Sequence, residues 1–267
     1  ADNLLWIKTY FPEPIYGDNW GEDLIQTSDG GFLICGQLSS WWHYNDFAFL
    51  LKTDSQGDTL WTKKYRDGVN DYDFESCVQT SNGDFVICGN AVDTTNWNVR
   101  MSLLKTDGNG NIIWNKYHYD SQLDFDHSII QTNDGGYMIV GLLDVNLTVE
   151  TALLRLLKTD INGDTLWTQK YGNPFGVGLD VKQTIDGGYI VTGAYYQDSL
   201  NSPSQMVLIK TNSLGTLSSI KNINLTSNNK TLLKVTDILG RETKGKKNKP
   251  LFYIYNDGTV EKKIVIE

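Results

Sequence analysis

Cysteine is scarce in this 267-residue chain, and its placement is uninformative: Cys35, Cys77 and Cys88 make an odd count with no Cys-x-x-Cys pair. That pattern gives neither a disulfide framework nor a zinc site, so the three read as buried free thiols. Histidine is equally thin, and His43, His118 and His127 share no metal-ligand spacing. No Gly-x-Ser-x-Gly elbow and no Cys/His arrangement appears. The sequence therefore announces no catalytic residue, no metal ligand and no cofactor. No apolar run reaches the roughly 18–20 residues of a membrane helix, which leaves no membrane-spanning segment of that kind. Basic residues are few over most of the length: residues 1–217 hold 13 Lys and Arg against 27 Asp and Glu. Such an acidic body repels phosphate backbones, which argues against nucleic acid as a partner.

Glycine and aromatics are abundant instead, with 25 Gly, 8 Trp, 14 Tyr and 9 Phe. This mixture suits many short strands joined by tight turns. The chain also repeats itself. Gln-Thr-x-x-Gly recurs with its Gln at 26, 79, 131 and 183, and the Gly ending the next apolar run falls at 36, 89, 141 and 193. Leu/Ile-Lys-Thr follows with Lys at 52, 105, 158 and 210, and a Trp segment begins at Trp6, Trp61, Trp114 and Trp167. Each period holds four strand-like pieces; in the second copy they are Phe74–Thr80, Asp84–Gly89, Arg100–Thr106 and Ile112–Tyr117. Four antiparallel strands per roughly 50 residues describe a propeller blade. The fold expected is all-β: a four-bladed β-propeller of ~53-residue repeats over 1–217, plus a small C-terminal β-domain over 218–267. The last copy lacks a Trp strand and the N-terminus has one to spare, so Leu5–Tyr10 is expected to close the fourth blade by β-pairing.

The hairpin Asp54-Ser55-Gln56-Gly57-Asp58-Thr59-Leu60-Trp61, echoed at Asp107–Trp114 and Asp160–Trp167, resembles the Asp/Gly/Trp turn of quinoprotein-like propeller blades. The likeness concerns fold and not chemistry. The paired oxygen side chains of these turns have calcium-like spacing, yet Asp and Gly also serve a turn by capping backbone N–H groups and adopting positive φ, the reading preferred here.

The period ends near Leu217, and residues 218–267 carry 10 Lys and Arg against 5 Asp and Glu. Asp237-x-x-Gly240-Arg241, the strand Phe252-Tyr253-Ile254-Tyr255, the turn at Gly258 and the ending Lys262-Lys263-Ile264-Val265-Ile266-Glu267 resemble the type A C-terminal sorting domain of Gram-negative type IX secretion. Two features depart from that pattern: the segment is short, and Pro250-Leu251 stands where a Gly usually precedes the aromatic strand. The resemblance implies the type IX translocon as a partner and an extracellular or cell-surface location. Ala1-Asp2-Asn3 reads as a mature start, after removal of a signal peptide.

Function is sought in the long connections, which vary between repeats while the core repeats. They hold Trp20, Trp41, Trp42, Tyr44, Trp97, Tyr195 and Tyr196, aromatics without periodic counterparts that could stack on sugars or anchor a protein. The same loops carry Asp18, Asp67, Asp71, Asp73, Asp120, Asp124 and Asp126. The leading expectation is a non-catalytic binding protein whose long-loop face takes a glycan or a surface protein. One alternative is a glycan-active hydrolase or lyase using paired loop Asp residues. The other is a self-assembling structural surface protein.

Overall fold

The computed structural model describes residues 5–10, 17–40, 47–66, 70–95, 97–118, 125–146, 151–171, 175–196, 204–217, 232–236, 241–243, 250–255 and 260–264. Two compact units divide the chain, Ala1–Ser218 and Ser219–Glu267. Among the described residues all regular structure is β.

The larger unit is a series of antiparallel sheets. Sheet 1 runs β1 (Gly17–Gln26), β2 (Phe32–Ser40), β3 (Phe47–Thr53) and β4 (Thr59–Tyr65), paired in that order. Sheet 2 repeats the meander with β5 (Asn70–Gln79), β6 (Phe85–Asp93), β7 (Val99–Thr106) and β8 (Ile112–His118). Sheet 3 comprises β9 (Phe125–Gln131), β10 (Tyr137–Asn146), β11 (Thr151–Thr159) and β12 (Thr165–Tyr171). Sheet 4 has three described strands, β13 (Phe175–Gln183), β14 (Tyr189–Tyr196) and β15 (Ser204–Thr211). One parallel bridge, Ala152 to Phe175, joins sheets 3 and 4.

Alternation along the second strands explains why they are apolar at successive positions. On β6, Phe85 and Ile87 enter the core shared with sheet 1, while Val86 and Cys88 enter the core shared with sheet 3. On β10, Tyr137 and Ile139 face sheet 2, and Met138 and Val140 face sheet 4. Each inner sheet thus buries both faces, so a strand's period of two places an apolar side chain on either side.

The repeated motifs are joints. In sheet 1 the buried Lys52 ammonium meets Asp29 at 2.9 Å and donates to the Thr53 carbonyl at 2.8 Å, pinning the first hairpin to the third strand. Lys158 with Asp134 and Lys210 with Asp186 reproduce the joint. In sheet 2 the carboxylate stands two residues later, and Lys105 pairs with Asp84 at 3.2 Å. The run-ending glycines face a β-bulge: a Cβ on Gly36, Gly89, Gly141 or Gly193 would lie 1.9, 2.0, 2.0 or 1.9 Å from the carbonyl oxygen of Trp20, Asp73, Phe125 or Val177. Only glycine fits there.

The Trp segments dock each sheet on the next. Trp61 and Lys63 pack on Gly110, and Tyr65 donates to the Gly110 carbonyl at 2.7 Å. Trp114 packs on Gly163 and Trp167 on Gly215, where the Tyr171 hydroxyl bonds the Gly215 carbonyl. The Asp of each Asp-x-x-Gly turn is consumed locally: Asp54 Oδ1 accepts from the Gln56 and Asp58 N–H groups at 2.8 Å each.

The opening segment behaves in the same way toward sheet 1. Trp6, Lys8 and Tyr10 sit on Gly57, and the Tyr10 hydroxyl donates to the Gly57 carbonyl at 2.8 Å. It forms no ladder with β15, whose described strand partner is β14. Met206 and Leu208 on β15 are 88% and 68% exposed, whereas Met101 and Leu103, at the matching places in sheet 2, are fully buried. The expected pairing of Leu5–Tyr10 with the fourth sheet is therefore not formed. The segment is docked by its aromatic side chains instead.

The smaller unit is a three-stranded antiparallel sheet of β16 (Leu232–Thr236), β17 (Pro250–Tyr255) and β18 (Val260–Ile264), with Leu251 buried and Tyr255 donating to Glu261 at 3.0 Å.

Candidate functional site

The first strands of the four sheets pack side by side in series, and each carries one residue more than its partner strand. The register slips at Gly21/Asp23, Phe74/Ser76, opposite Val140/Gly141, and at Gly178/Asp180. The bulged residues are Glu22, Glu75, His127 and Leu179. A bulge breaks alternation and re-aims a side chain, which is why such sites recur beside functional centres. Here it brings Glu75 within electrostatic reach of Asp73, Glu22 and Asp126, and Glu22 within reach of Asp73 as well.

Burial and crowding set the protonation of this cluster. Glu75, half-buried, is pushed up to about 7 by desolvation, then by the charges of Asp73, Glu22 and Asp126. Asp73 is pushed up to about 6, mainly by burial, although it accepts from the Asn90 N–H at 2.7 Å. Asp126 is fully buried and held by Arg155 at 2.8 Å, and Asn90 Oδ1 accepts from its N–H at 3.2 Å. Glu22 is exposed. Burial also holds the neighbouring His127 below the usual imidazole range. A carboxyl that keeps its proton near neutrality beside a second carboxylate is the pairing acid–base chemistry on an acetal needs. Farther along the same strands a hollow of about 560 Å³ opens between Gln26, Ser28, Gln79 and Gln131.

The residues singled out from sequence fare unevenly. Trp20 is 56% exposed on β1, and Trp97 is 60% exposed at a left-handed φ of 60° in the turn after β6. Tyr195 is half-buried on β14, and Tyr196 ends that strand opposite Ser204. Trp41, Trp42 and Tyr44 lie outside the described residues. Of the loop carboxylates, Asp73 and Asp126 join the cluster, Asp71 pairs with Arg66 at 3.4 Å, and Asp18 is exposed. Asp67, Asp120 and Asp124 lie outside the described residues. Glu22 and Glu75 were missed. The signal that could have found them is their place four residues before the repeated Gln, a site occupied by Glu, Glu, His and Leu in turn. In the smaller unit, Tyr253 and Tyr255 lie on β17, Lys262 and Lys263 pair with Phe252 and Leu251, and Arg241 is exposed. Asp237, Gly240 and Gly258 are outside the described residues.

Four-stranded antiparallel meanders packed face to face define an all-β, β-propeller-like fold. The solved structures it resembles are distant. A chain named as an exo-β-1,3-galactanase from Bifidobacterium bifidum s17 shares 14% identity at a TM-score of 0.48, over 77% of this chain and 73% of that one. An endo-arabinase from Bacteroides thetaiotaomicron VPI-5482 shares 12% identity at a TM-score of 0.45, over 96% of each chain. A xylan β-1,4-xylosidase from Bacillus halodurans C-125 shares 12% identity at a TM-score of 0.43, over 91% of this chain and 50% of that one. No protein-family model and no curated protein matches the sequence. All three neighbours are named as glycan-cleaving enzymes, and with that finding the expectation of a non-catalytic binding protein is corrected in favour of its glycan-active alternative. Likeness this remote carries no chemistry, which rests on the carboxylates of this chain.

Proposed function

We propose that the chain is a secreted glycan hydrolase whose centre is the carboxylate cluster on β1, β5 and β9. The observation that carries the reading is Glu75, half-buried on a bulge and held near 7 by burial and three neighbouring carboxylates. In that state it serves as general acid, giving its proton to the departing glycosidic oxygen. Glu22, the matching bulge residue of the adjacent strand, supplies the second carboxylate, which activates water or attacks the anomeric carbon. Burial first, then like-charge repulsion from Asp73, Glu22 and Asp126, keeps the proton on Glu75. The test is hydrolysis of arabinan, β-1,3-galactan and xylan by the full chain, followed as released reducing ends. Cleavage of one of them, lost in both Glu75→Gln and Glu22→Gln, is expected. A folded protein that cleaves none, or a Glu75→Gln variant with undiminished turnover, overturns the reading.

The same reading takes the larger unit as a four-bladed disc. Leu5–Tyr10 docks on sheet 1 through its side chains as Trp61–Tyr65 docks on sheet 2, and β15 leaves Met206 and Leu208 exposed on the face that sheet 1 would cover in a closed disc. Met206→Glu and Leu208→Glu should then destabilise the chain as substitutions in a covered face do; unchanged thermal melts overturn the closed disc. The smaller unit is read as the export signal: its removal should leave the protein in the periplasm of a host with the type IX machinery.

A further inference from the structure

The three cysteines are uninformative along the chain, but two of them meet in space. Cys35 on β2 and Cys77 on β5 face each other across the junction of sheets 1 and 2, beside Asp23 on β1. One carboxylate oxygen and the two sulfurs all lie within 4.8 Å of one another. Both thiols are buried, at 0% and 2% exposure, and Asp23 is partly open. The carboxylate is held in place: Asp23 Oδ2 accepts from Ser76 Oγ at 2.8 Å and from the Cys77 N–H at 2.9 Å, and Oδ1 accepts from the Leu24 N–H at 2.7 Å. Oδ2 is filled by two donors, and a lone pair remains on Oδ1.

The other junctions act as internal controls. At the matching positions the junction of sheets 2 and 3 has Ser76, Cys88 and Ile129, and that of sheets 3 and 4 has Ser128, Val140 and Val181. Packing of this joint therefore requires neither the acid nor the paired thiols. Only the first junction gathers two soft ligands and one hard one.

We propose that Asp23, Cys35 and Cys77 form a site for a borderline-soft divalent cation, zinc by its ligand chemistry, with a fourth position left for water. Zinc lies about 2.3 Å from thiolate sulfur and about 2.0–2.2 Å from carboxylate oxygen, so the three groups close in by roughly an ångström around the ion. On binding, each thiol releases its proton to solvent and its sulfur lone pair bonds the metal; two protons leave for each ion bound, with no change of oxidation state. The ion ties sheet 1 to sheet 2 at their first strands. The hydrogen bonds from Ser76 and the Cys77 N–H orient the carboxylate as outer partners do in metal sites.

The test uses the full chain, reduced and stripped of metal, titrated with Co²⁺. One equivalent should produce a thiolate-to-cobalt charge-transfer band with the strong visible bands of a tetrahedral site, and Zn²⁺ should bleach both. Affinity should fall by about 100-fold for each pH unit lowered, because two protons compete. Asp23→Ser, Cys35→Val and Cys77→Val borrow residues from the chain's own repeats, so the fold is kept and circular dichroism checks it. Each should weaken binding by roughly 10–100-fold or more. Cys88→Val should change nothing. The proposal is overturned if the folded chain gives no cobalt–thiolate band, or if the band survives Cys77→Val. It is equally overturned if the reduced protein, returned to air with Zn²⁺ present, loses two hydrogens of mass to a Cys35–Cys77 disulfide instead of taking up the ion.

Discussion

Sheet 3 contains a fully buried charge pair absent from the matching positions of the other sheets, and breaking it should expose how this core tolerates ions. Arg155 is 2% exposed and Asp126 is 0% exposed, with the guanidinium 2.8 Å from the carboxylate. The corresponding pair in sheet 2 is Phe74 with Ser102, and in sheet 1 Gly21 with Phe49. An ion pair taken wholly out of water gains little over a well-packed apolar pair, but a lone buried charge costs about 3–5 kcal/mol. Asp126→Phe should therefore destabilise by about 3–5 kcal/mol by taking the carboxylate from the buried Arg155 guanidinium, and Arg155→Ser by a similar amount by taking the guanidinium from Asp126. The double variant installs the solution already used by sheet 2 and should return to within about 1–2 kcal/mol of the parent. Urea unfolding followed by tryptophan fluorescence measures all three. With a slope of about 2–3 kcal/mol per molar urea, each single change moves the midpoint by roughly 1–2 M. Additive losses in the double variant would refute the argument, as would single losses below about 1 kcal/mol.

Three further outcomes follow from the same structure. Glu75 and Asp73 titrate higher folded than unfolded, so the folded state binds more protons between about pH 4 and 7 and stability declines as pH rises through that window; Glu75→Gln should raise stability at pH 8 by about 1–2 kcal/mol, after discounting for its partial exposure, while removing activity, and thermal melts at pH 5 and 8 check the sign. Asp29 shows the opposite case: hydrogen bonds from Thr27 and Lys52 hold it down to about 2, so its contribution is present above pH 4 and lost as pH falls through about 2; since the carboxylate is 58% exposed, Asp29→Asn should cost about 1 kcal/mol or less at pH 7 and nothing at pH 2. Gly89→Ala places a Cβ 2.0 Å from the Asp73 carbonyl oxygen and should cost about 3 kcal/mol, whereas Gly83→Ala, which meets nothing within 4 Å, should lose only what its φ of 89° imposes; paired denaturation curves separate the two.

The sheets were legible because their physics repeats. Lys52, Lys105, Lys158 and Lys210 recur because each must anchor a hairpin, and Gly36 and its successors recur because each faces a bulge carbonyl. The site was not legible for the same reason: Glu22 and Glu75 sit where repetition stops, and a bulge of one residue turns them without leaving a mark in the hydrophobic pattern. Variable loops are where binding residues concentrate, but Asp71, expected in one, is paired with Arg66 and the crowded carboxylates lie on the strands beneath. Cys35 and Cys77 stand far apart along the chain, and the packing of adjacent sheets erases that separation. The docking of Leu5–Tyr10 was half legible. Its aromatic contacts follow from the Trp motif, but pairing with β15 depends on how far the sheets curve, which no local pattern encodes.

The tyrosine hydroxyls that reach across to a turn carbonyl, from Tyr10 to Gly57, Tyr65 to Gly110 and Tyr171 to Gly215, couple each module to its successor. Such a molecule behaves as a chain of nearest-neighbour springs, so damage spreads outward from its origin and fades with distance. Proteolysis or pulling should take it apart one meander at a time.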